Sequence, residues 1–419
     1  MTIKLKLKSK VKGELMKRKI GVFIIVIILI FFSYMLILPD YKSFTYIARG
    51  IFWGESDFYD YQKFAYRQID KVNDSHSFEY YLKESDIDDL LKDINYHYKQ
   101  AQFTIGDARQ FFMETDTTSF IIIKNDKIIY EKYFNDYSRD SINTSFSVAK
   151  SFVSFLIGKA IEDGYIESIE EPITNYIPEL RNIGFEEIRI EHLLEMSSGI
   201  HYNEGRLLLG DDAKTYYSPN LRRLALEETK LVDRPGEKFL YNNYNPLLLG
   251  IILESSTQKT ISEYLEETLW KPVGMEFTAT WSMDSKKHGF EKMESGINAR
   301  AIDFARFGNL YLNKGTWDGQ QIISSQWVID STIKKENVND SYYSDTEWDF
   351  FNRDQGYYKY MWLGYEREDG EYDFFAHGKY GQVIYVSPKY NVVIVRTGKT
   401  AGKVDFWPEI LFELSSKLE

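Results

Sequence analysis

Two stretches of the chain carry the apolar, β-branched texture of strand hairpins. Phe120-Ile121-Ile122-Ile123 and Ile128-Ile129-Tyr130-Glu131-Lys132-Tyr133-Phe134 flank the polar turn Lys124-Asn125-Asp126-Lys127, which predicts two antiparallel strands. Toward the other end, residues 383–386 and 391–396 alternate around Ser387-Pro388-Lys389-Tyr390 and predict a second hairpin. Between the two the period lengthens. Residues 144–161, 188–196, 244–255 and 299–312 are apolar runs of helical length, the last ending before Asn313-Lys314-Gly315, and 406–418 has the pattern of a terminal helix. Strands at both ends with helices between predict an α+β fold: one antiparallel sheet shared by the two hairpins and flanked by helices, beside an all-helical region. Residues 39–115 are rich in Tyr, Asp and Lys without a clean period, apart from a short helix predicted within 85–98, and read as a stalk or packing appendage. The texture changes near Ser119, which places the main domain at 116–419. There is no internal repeat.

The first forty residues differ from the rest in charge. Eight basic side chains (Lys4, Lys6, Lys8, Lys10, Lys12, Lys17, Arg18, Lys19) face one acid, Glu14, so the tip at 1–19 carries +7 and the remaining 400 residues carry −19 of the chain's net −12. Residues 20–38 contain no charged side chain. At 1.5 Å per residue this run reaches roughly the 30 Å of a hydrocarbon core. The expectation is a single transmembrane helix at 20–38 with a cytoplasmic amino terminus and an outward-facing body. A cleaved signal peptide is the competing expectation, for which Ser33-Tyr34-Met35-Leu36 is a poor cleavage site.

Composition narrows the chemistry. With 419 residues, 43% hydrophobic and 27% charged, the chain buries a large core. Its lack of cysteine excludes disulfides, a thiol nucleophile, iron–sulfur clusters and thiolate zinc sites. The acidic body argues against nucleic acid as a partner, because phosphate contacts need clustered Lys and Arg. The six histidines are scattered: His192-Leu193-Leu194-Glu195 lacks the second histidine of a zincin helix, and no metal or cofactor is expected. No Gly-x-Ser-x-Gly elbow is present. Gly398-Lys399-Thr400-Ala401-Gly402-Lys403 has the wrong glycine spacing for a phosphate-binding loop and reads as a basic loop after a strand.

Three segments carry candidate chemistry. In Ser147-Val148-Ala149-Lys150 the serine and lysine are three apart at a helix start, hence on one face, and the neighbours Phe146, Val148, Phe152, Val153 and Phe155 are apolar. A lysine acts as base only when neutral, and an apolar setting favours that state. A helix start also offers amide donors to a developing oxyanion. Ser151, Ser154 and Gly158 continue a small-residue stripe on this face, read as close helix packing. The second segment is Tyr241-Asn242-Asn243, in which a phenol beside a cation can shuttle a proton and an amide can orient lysine and substrate. The third is His377-Gly378-Lys379-Tyr380-Gly381-Gln382, whose glycines let a strand backbone approach a substrate closely. Each has a plain alternative: a capping serine with a surface lysine, one Tyr-x-Asn among 32 tyrosines, and a glycine-softened turn.

Taken together, these segments resemble the serine β-lactamase and penicillin-binding-protein-like superfamily, in particular its class C β-lactamase branch with esterases and 6-aminohexanoate-dimer hydrolases. Leu193-Leu194-Glu195-Met196-Ser197-Ser198-Gly199-Ile200 is similar to that group's Leu-Leu-x-Met-x-Ser-Gly stretch, and Ala301 to Gly308 followed by Gly315, Trp317, Gly319 and Trp327 supports the likeness. It covers about residue 115 to the end. The resemblance implies that Ser147 is the acylated nucleophile, that Lys150 and Tyr241 share the base and acid roles, and that Asn243 supports them. It also implies an oxyanion hole from the Ser147 and Lys379 backbone amides, with His377 and Gly378 at the substrate. One departure stands out. Where β-lactamases carry Lys-Thr-Gly, this chain has Ala376-His377-Gly378, while Arg396-Thr397-Gly398 mimics the motif after the hairpin. Losing that lysine removes a contact to a substrate carboxylate and favours an ester or amide without one, on a small molecule or cell-wall material. A β-lactamase or D-alanyl-D-alanine carboxypeptidase remains open as an alternative, as does a catalytically idle penicillin-binding module.

Overall fold

The computed structural model describes residues 2–37, 44–73, 77–205, 210–334, 342–343, 348, 350–353 and 356–418, with side chains at all of these except 2–15, 35–37, 44 and 352–353. Leu38, the expected end of the membrane span, lies outside these residues.

The expected transmembrane anchor is corrected by the helix itself. Among the described residues, no helix is long and apolar enough to cross a membrane. The N-terminal helix Thr2–Ile37 runs on through the lysine-rich tip. The single-pass topology, the cytoplasmic amino terminus and membrane partnership all fall with the span.

The α+β expectation fits the body. Its centre is an eight-stranded sheet in the spatial order Gly356–Lys359, Trp362–Glu366, Tyr372–Gly378, Gln382–Ser387, Val392–Gly398, Thr117–Lys124, Lys127–Tyr133 and Glu79–Tyr80. Both predicted hairpins are present and share this sheet, Ile394 lying opposite Ile122 and Arg396 opposite Phe120. All neighbours are antiparallel except the edge pair Glu79–Tyr80 with Lys127–Tyr133. The central strands read as unbroken Val/Ile runs because both faces are covered. On one face, Val393, Ile384 and Val386 surround Gly308 of the helix Ala301–Leu312. On the other, Arg396 lies against Trp407 of the terminal helix Trp407–Lys417. This facing decides where the side chains of the third candidate segment point.

A second sheet orders Ala65–Ile69, Ala279–Met283, Ile297–Ala299 and Asn143–Thr144. Residues 65–69 and 79–80 thus lend strands to both sheets. Within the predicted 85–98 helix, only Glu84–Leu91 is helical, and Asn95–Tyr98 pairs with Ala101–Thr104 across Lys99 and Gln100, both at positive φ. The apolar run from 144 is divided: strand Asn143–Thr144, a 3-10 turn Phe146–Val148, then the helix Ala149–Glu162. That helix is buried on nearly all sides, which is why it lacks an amphipathic stripe. It packs beside the helix Tyr244–Thr257, and Phe152 stacks on Phe307 at 3.8 Å. Gly158 lets the Trp327 indole come so close that an added Cβ would meet it at 2.3 Å. Each fully buried phenylalanine of this kind contributes about 2–3 kcal/mol.

Candidate active site

The turn before the buried helix places the first pair. Phe146 is held at φ +46°, a strained value for a non-glycine residue. This kink turns the chain from the Asn143–Thr144 strand into the helix and presents Ser147 half-buried at its start. Lys150, 2% exposed, donates through Nζ to Ser147 Oγ at 2.9 Å and to the Glu294 carbonyl at 2.9 Å. The amine also lies 4.9 Å from the centre of the Tyr241 ring. Ser147 and Tyr241 therefore both lie against the Lys150 amine, although Tyr241 is 91 positions further along the chain than Lys150.

The Tyr241 loop is held by the Leu-Leu-x-Met-x-Ser-Gly stretch. Leu240 N donates to the Met196 carbonyl at 2.8 Å, and Asn242, fully buried, donates to the Ile200 carbonyl at 2.9 Å. Ser198 Oγ donates to Asn245 Oδ1 at 2.7 Å. Gly199 at φ +72° comes so near the Asp233 carbonyl that a Cβ would meet it at 2.1 Å, so the turn requires glycine. Asn243 is placed elsewhere than expected for a group supporting Lys150. Its Nδ2 donates to Tyr202 Oη at 2.9 Å and to Asp212 Oδ1 at 3.2 Å, and its Oδ1 is buried without a hydrogen-bond partner among the described residues.

Gly378 brings the third segment in. An added Cβ would lie 2.5 Å from the Ser145 carbonyl oxygen and 3.1 Å from the Ser147 amide nitrogen. The strand end thus abuts the Ser147 turn, with the Ser147 amide close to Gly378 and the Lys379 amide next along the chain. His377 pairs with Val383, which pairs in turn with Arg396, so its ring belongs to the terminal-helix face. There it meets Phe406 edge-on at 5.1 Å. Burial, with the Arg396 cation as a smaller cause, lowers its pKa to about 4. His377 therefore faces away from Ser147, and the sheet face toward Ser147 carries Ala376 and Gly378 instead. Lys379 reaches Ser56 Oγ at 2.7 Å and Glu55 at 3.2 Å.

Several groups at the site carry no sequence signature. Arg396, dismissed as a misplaced motif, donates to the Tyr380 and Gly381 carbonyls at 2.5 and 3.0 Å and to the Thr115 and Thr400 carbonyls at 2.9 Å each, fixing the turn after Gly378. The 54–60 segment also reaches in: Tyr380 Oη donates to the Ser56 carbonyl and Thr144 Oγ1 to that of Phe58. The Glu294 carbonyl on Lys150 is the third such group. A backbone acceptor leaves no mark on sequence, and these contacts join residues far apart in the chain.

A Ser-x-x-Lys pair at a buried helix start, a tyrosine over the lysine, and a glycine strand end against the Ser147 amide, set between an antiparallel sheet and a helical region, define a β-lactamase-fold hydrolase. The chain belongs to the beta-lactamase family, whose model matches residues 110–407. It is 25% identical over 323 residues to the 6-aminohexanoate-dimer hydrolase of Paenarthrobacter ureafaciens, covering 73% of this chain and 76% of that one. Among solved structures it resembles a Bacillus anthracis protein assigned as a 6-aminohexanoate-dimer hydrolase, at TM-score 0.69 and 24% identity over 87% of this chain and 91% of that one. It also resembles the octameric penicillin-binding protein homologue of Pyrococcus abyssi, at TM-score 0.55 and 20% identity over 72% of each chain.

Proposed function

We propose that this protein hydrolyses an ester or amide through an acyl-enzyme on Ser147. Ser147 Oγ attacks the acyl carbon while its proton passes to Lys150 Nζ, 2.9 Å away. The amides of Ser147 and Lys379 receive the negative charge of the tetrahedral intermediate. Tyr241, beside Lys150, relays the proton to the leaving group, and water attacks the acyl-enzyme by the reverse route. The reading rests on one observation: a buried lysine whose amine has two described acceptors, the serine hydroxyl and a backbone carbonyl.

The substrate class follows from what faces Ser147. Among the described residues, no cation stands at the Lys-Thr-Gly position on that face, since His377 is turned to the other side and neutral at pH 7. This supports a small ester or amide lacking a carboxylate next to the cleaved bond, rather than a penicillin or a free D-Ala-D-Ala end. The relative named as a 6-aminohexanoate-dimer hydrolase acts on an amide of that kind, its carboxylate being remote from the bond. Cell-wall material rested on an outward-facing body and is not carried forward.

The test is hydrolysis of a short-chain p-nitrophenyl ester by the full chain beside Ser147→Ala and Lys150→Met. Turnover should fall to background in the first variant and by about 10²–10⁴ in the second. Equal rates in all three, together with no covalent adduct from a fluorophosphonate probe, would favour an idle binding module.

A further inference from the structure

Behind Lys150 lies a buried ion pair that the mechanism above does not use. Glu294 gives its backbone carbonyl to Lys150 and its carboxylate to Lys292, whose Nζ is 2.7 Å from Oε1. Both side chains of the pair are almost wholly buried, at 2% and 3% exposure. Lys292 also donates to the Tyr216 carbonyl at 2.7 Å and lies over the Tyr216 and Phe64 rings at 4.3 and 4.7 Å. Ser295 Oγ donates to the same Glu294 oxygen at 2.9 Å, while Oε2 has no hydrogen-bond partner among the described residues. Arg49 and Asp60 are the other charges that act on Lys292. Asp60 is itself paired with Lys63 and accepts from Tyr216 Oη at 2.6 Å. On its own side, the Lys150 amine faces Ser147, the Glu294 carbonyl and the Tyr241 ring.

A buried pair of this kind is weak evidence for stability, since desolvating two ions costs about what their attraction returns. Its place one residue from the carbonyl on Lys150 gives it another use. Resting on the reading of Lys150 as general base, we propose that the Lys292–Glu294 pair sets the electrostatic potential at the Lys150 amine, so that both residues are positioning residues for the base. The intact pair is neutral overall and is joined to the Lys150 amine through the Glu294 main chain, whose carbonyl accepts from Lys150. Loss of Lys292 leaves an uncompensated carboxylate, which favours the ammonium form of Lys150. Loss of the Glu294 charge removes the anion and leaves the Lys292 ammonium, which favours the free base of Lys150. An uncompensated charge within about 12 Å, at an effective dielectric of about 20, moves a neighbouring titration by about one pH unit or more.

The experiment is an NMR titration of the full chain labelled at the lysine ε-carbon, with the Lys150 signal identified by its loss in Lys150→Arg. Alongside it run pH profiles of kcat/KM on the p-nitrophenyl ester. Lys292→Met should raise the Lys150 midpoint and shift the rising limb of the profile by about one unit to higher pH, and Glu294→Gln should shift both to lower pH. Lys292→Arg should keep the wild-type position. A merely structural pair would lower activity or melting temperature without displacing the two midpoints in opposite directions. Shifts of the same sign, or none in folded variants, would overturn the proposal. Should Lys292→Met fail to fold, Glu294→Gln decides alone, an unmoved or raised midpoint counting against. The NMR arm reads the amine even if no serine-dependent hydrolysis exists, so failure of the hydrolase reading is seen separately.

Discussion

Replacing Gly378 with alanine tests the close approach of the strand end to the Ser147 turn. The residue sits at φ −132°, which alanine adopts freely, so backbone preference does not oppose the change. The obstacle is space. The new methyl carbon would stand 2.5 Å from the Ser145 carbonyl oxygen, 3.1 Å from the Ser147 amide nitrogen and 3.3 Å from Phe146 Cβ, and carbon contacts under 3.0 Å do not persist. The strand end must therefore withdraw from the nucleophile turn by at least about half an ångström, because the opposing atom is backbone and Phe146 is already held in a strained conformation. The Lys379 amide moves with it. Displacing or losing one oxyanion donor costs about 10²–10³ in kcat, or ~3–4 kcal/mol at the transition state. Overpacking of this size costs about 1–3 kcal/mol of stability. The assay is kcat and KM on a p-nitrophenyl ester against the Ser147→Ala background, with a thermal melt to confirm folding. We expect kcat to fall at least tenfold with KM changed little. A folded Gly378→Ala protein with kcat within twofold of wild type would refute the assignment of this strand end to the oxyanion hole.

The other expectations follow the same geometry. Nitrocefin turnover should have a kcat/KM at least about 100-fold below that of the best p-nitrophenyl ester, for want of a cation at the Lys-Thr-Gly position; comparable values would restore the β-lactamase reading. Folding should stabilise neutral His377: with its pKa lowered to about 4 in the fold, the unfolded chain binds the extra proton between about pH 6.5 and 4, and stability is lost as pH falls through that window. Urea unfolding from pH 7.5 to 4.5 should show His377→Gln losing about 2–3 kcal/mol less than wild type. Gly199→Ala should cost about 2–4 kcal/mol by combining a left-handed φ with a clash on the Asp233 carbonyl, and an unchanged melting temperature would contradict it. Arg396→Met should lower both stability and kcat by releasing the Tyr380–Gly381 carbonyls, whereas a fall in stability alone would confine Arg396 to the core.

How much of this was legible in the sequence depended on whether a contact is local. Ser147 and Lys150 are three apart, so helical geometry alone joins them, and their apolar neighbours announce the burial. The two hairpins were legible for the same reason, each being closed by its own turn. His377 shows the limit. The glycine beside it reveals a close approach, but the face on which a strand side chain falls is set by pairing with Val383 and Arg396, and no residue near His377 states that register. The strand Ala65–Ile69 was hidden because its pattern is short and half-exposed and its partner, Ala279–Met283, lies over 200 residues away. At the N-terminus the lack of charge between residues 20 and 38 pointed to a span, but charge alone does not measure the length of a continuous apolar helix.

The arrangement also explains why Phe146 keeps its strained backbone. Strand Asn143–Thr144 belongs to the smaller sheet, through Ile297–Ala299, whereas Gly378 ends a strand of the larger one. Ser147 lies in the few residues that cross between them. A relaxed φ at Phe146 would carry the chain onward without the bend, and the helix start would miss the strand end. The cost of about 1–3 kcal/mol for such a conformation is held by contacts on both sides: Ser145 N donates to the Ile297 carbonyl at 2.8 Å, and the Phe146 ring meets Tyr380 edge-on at 5.4 Å. Tyr380 is in turn tied to Ser56 and Arg396. The geometry at Ser147 is therefore imposed by both sheets at once, so loosening Arg396 or the Ser56 segment should be felt at Ser147 as well as in the fold.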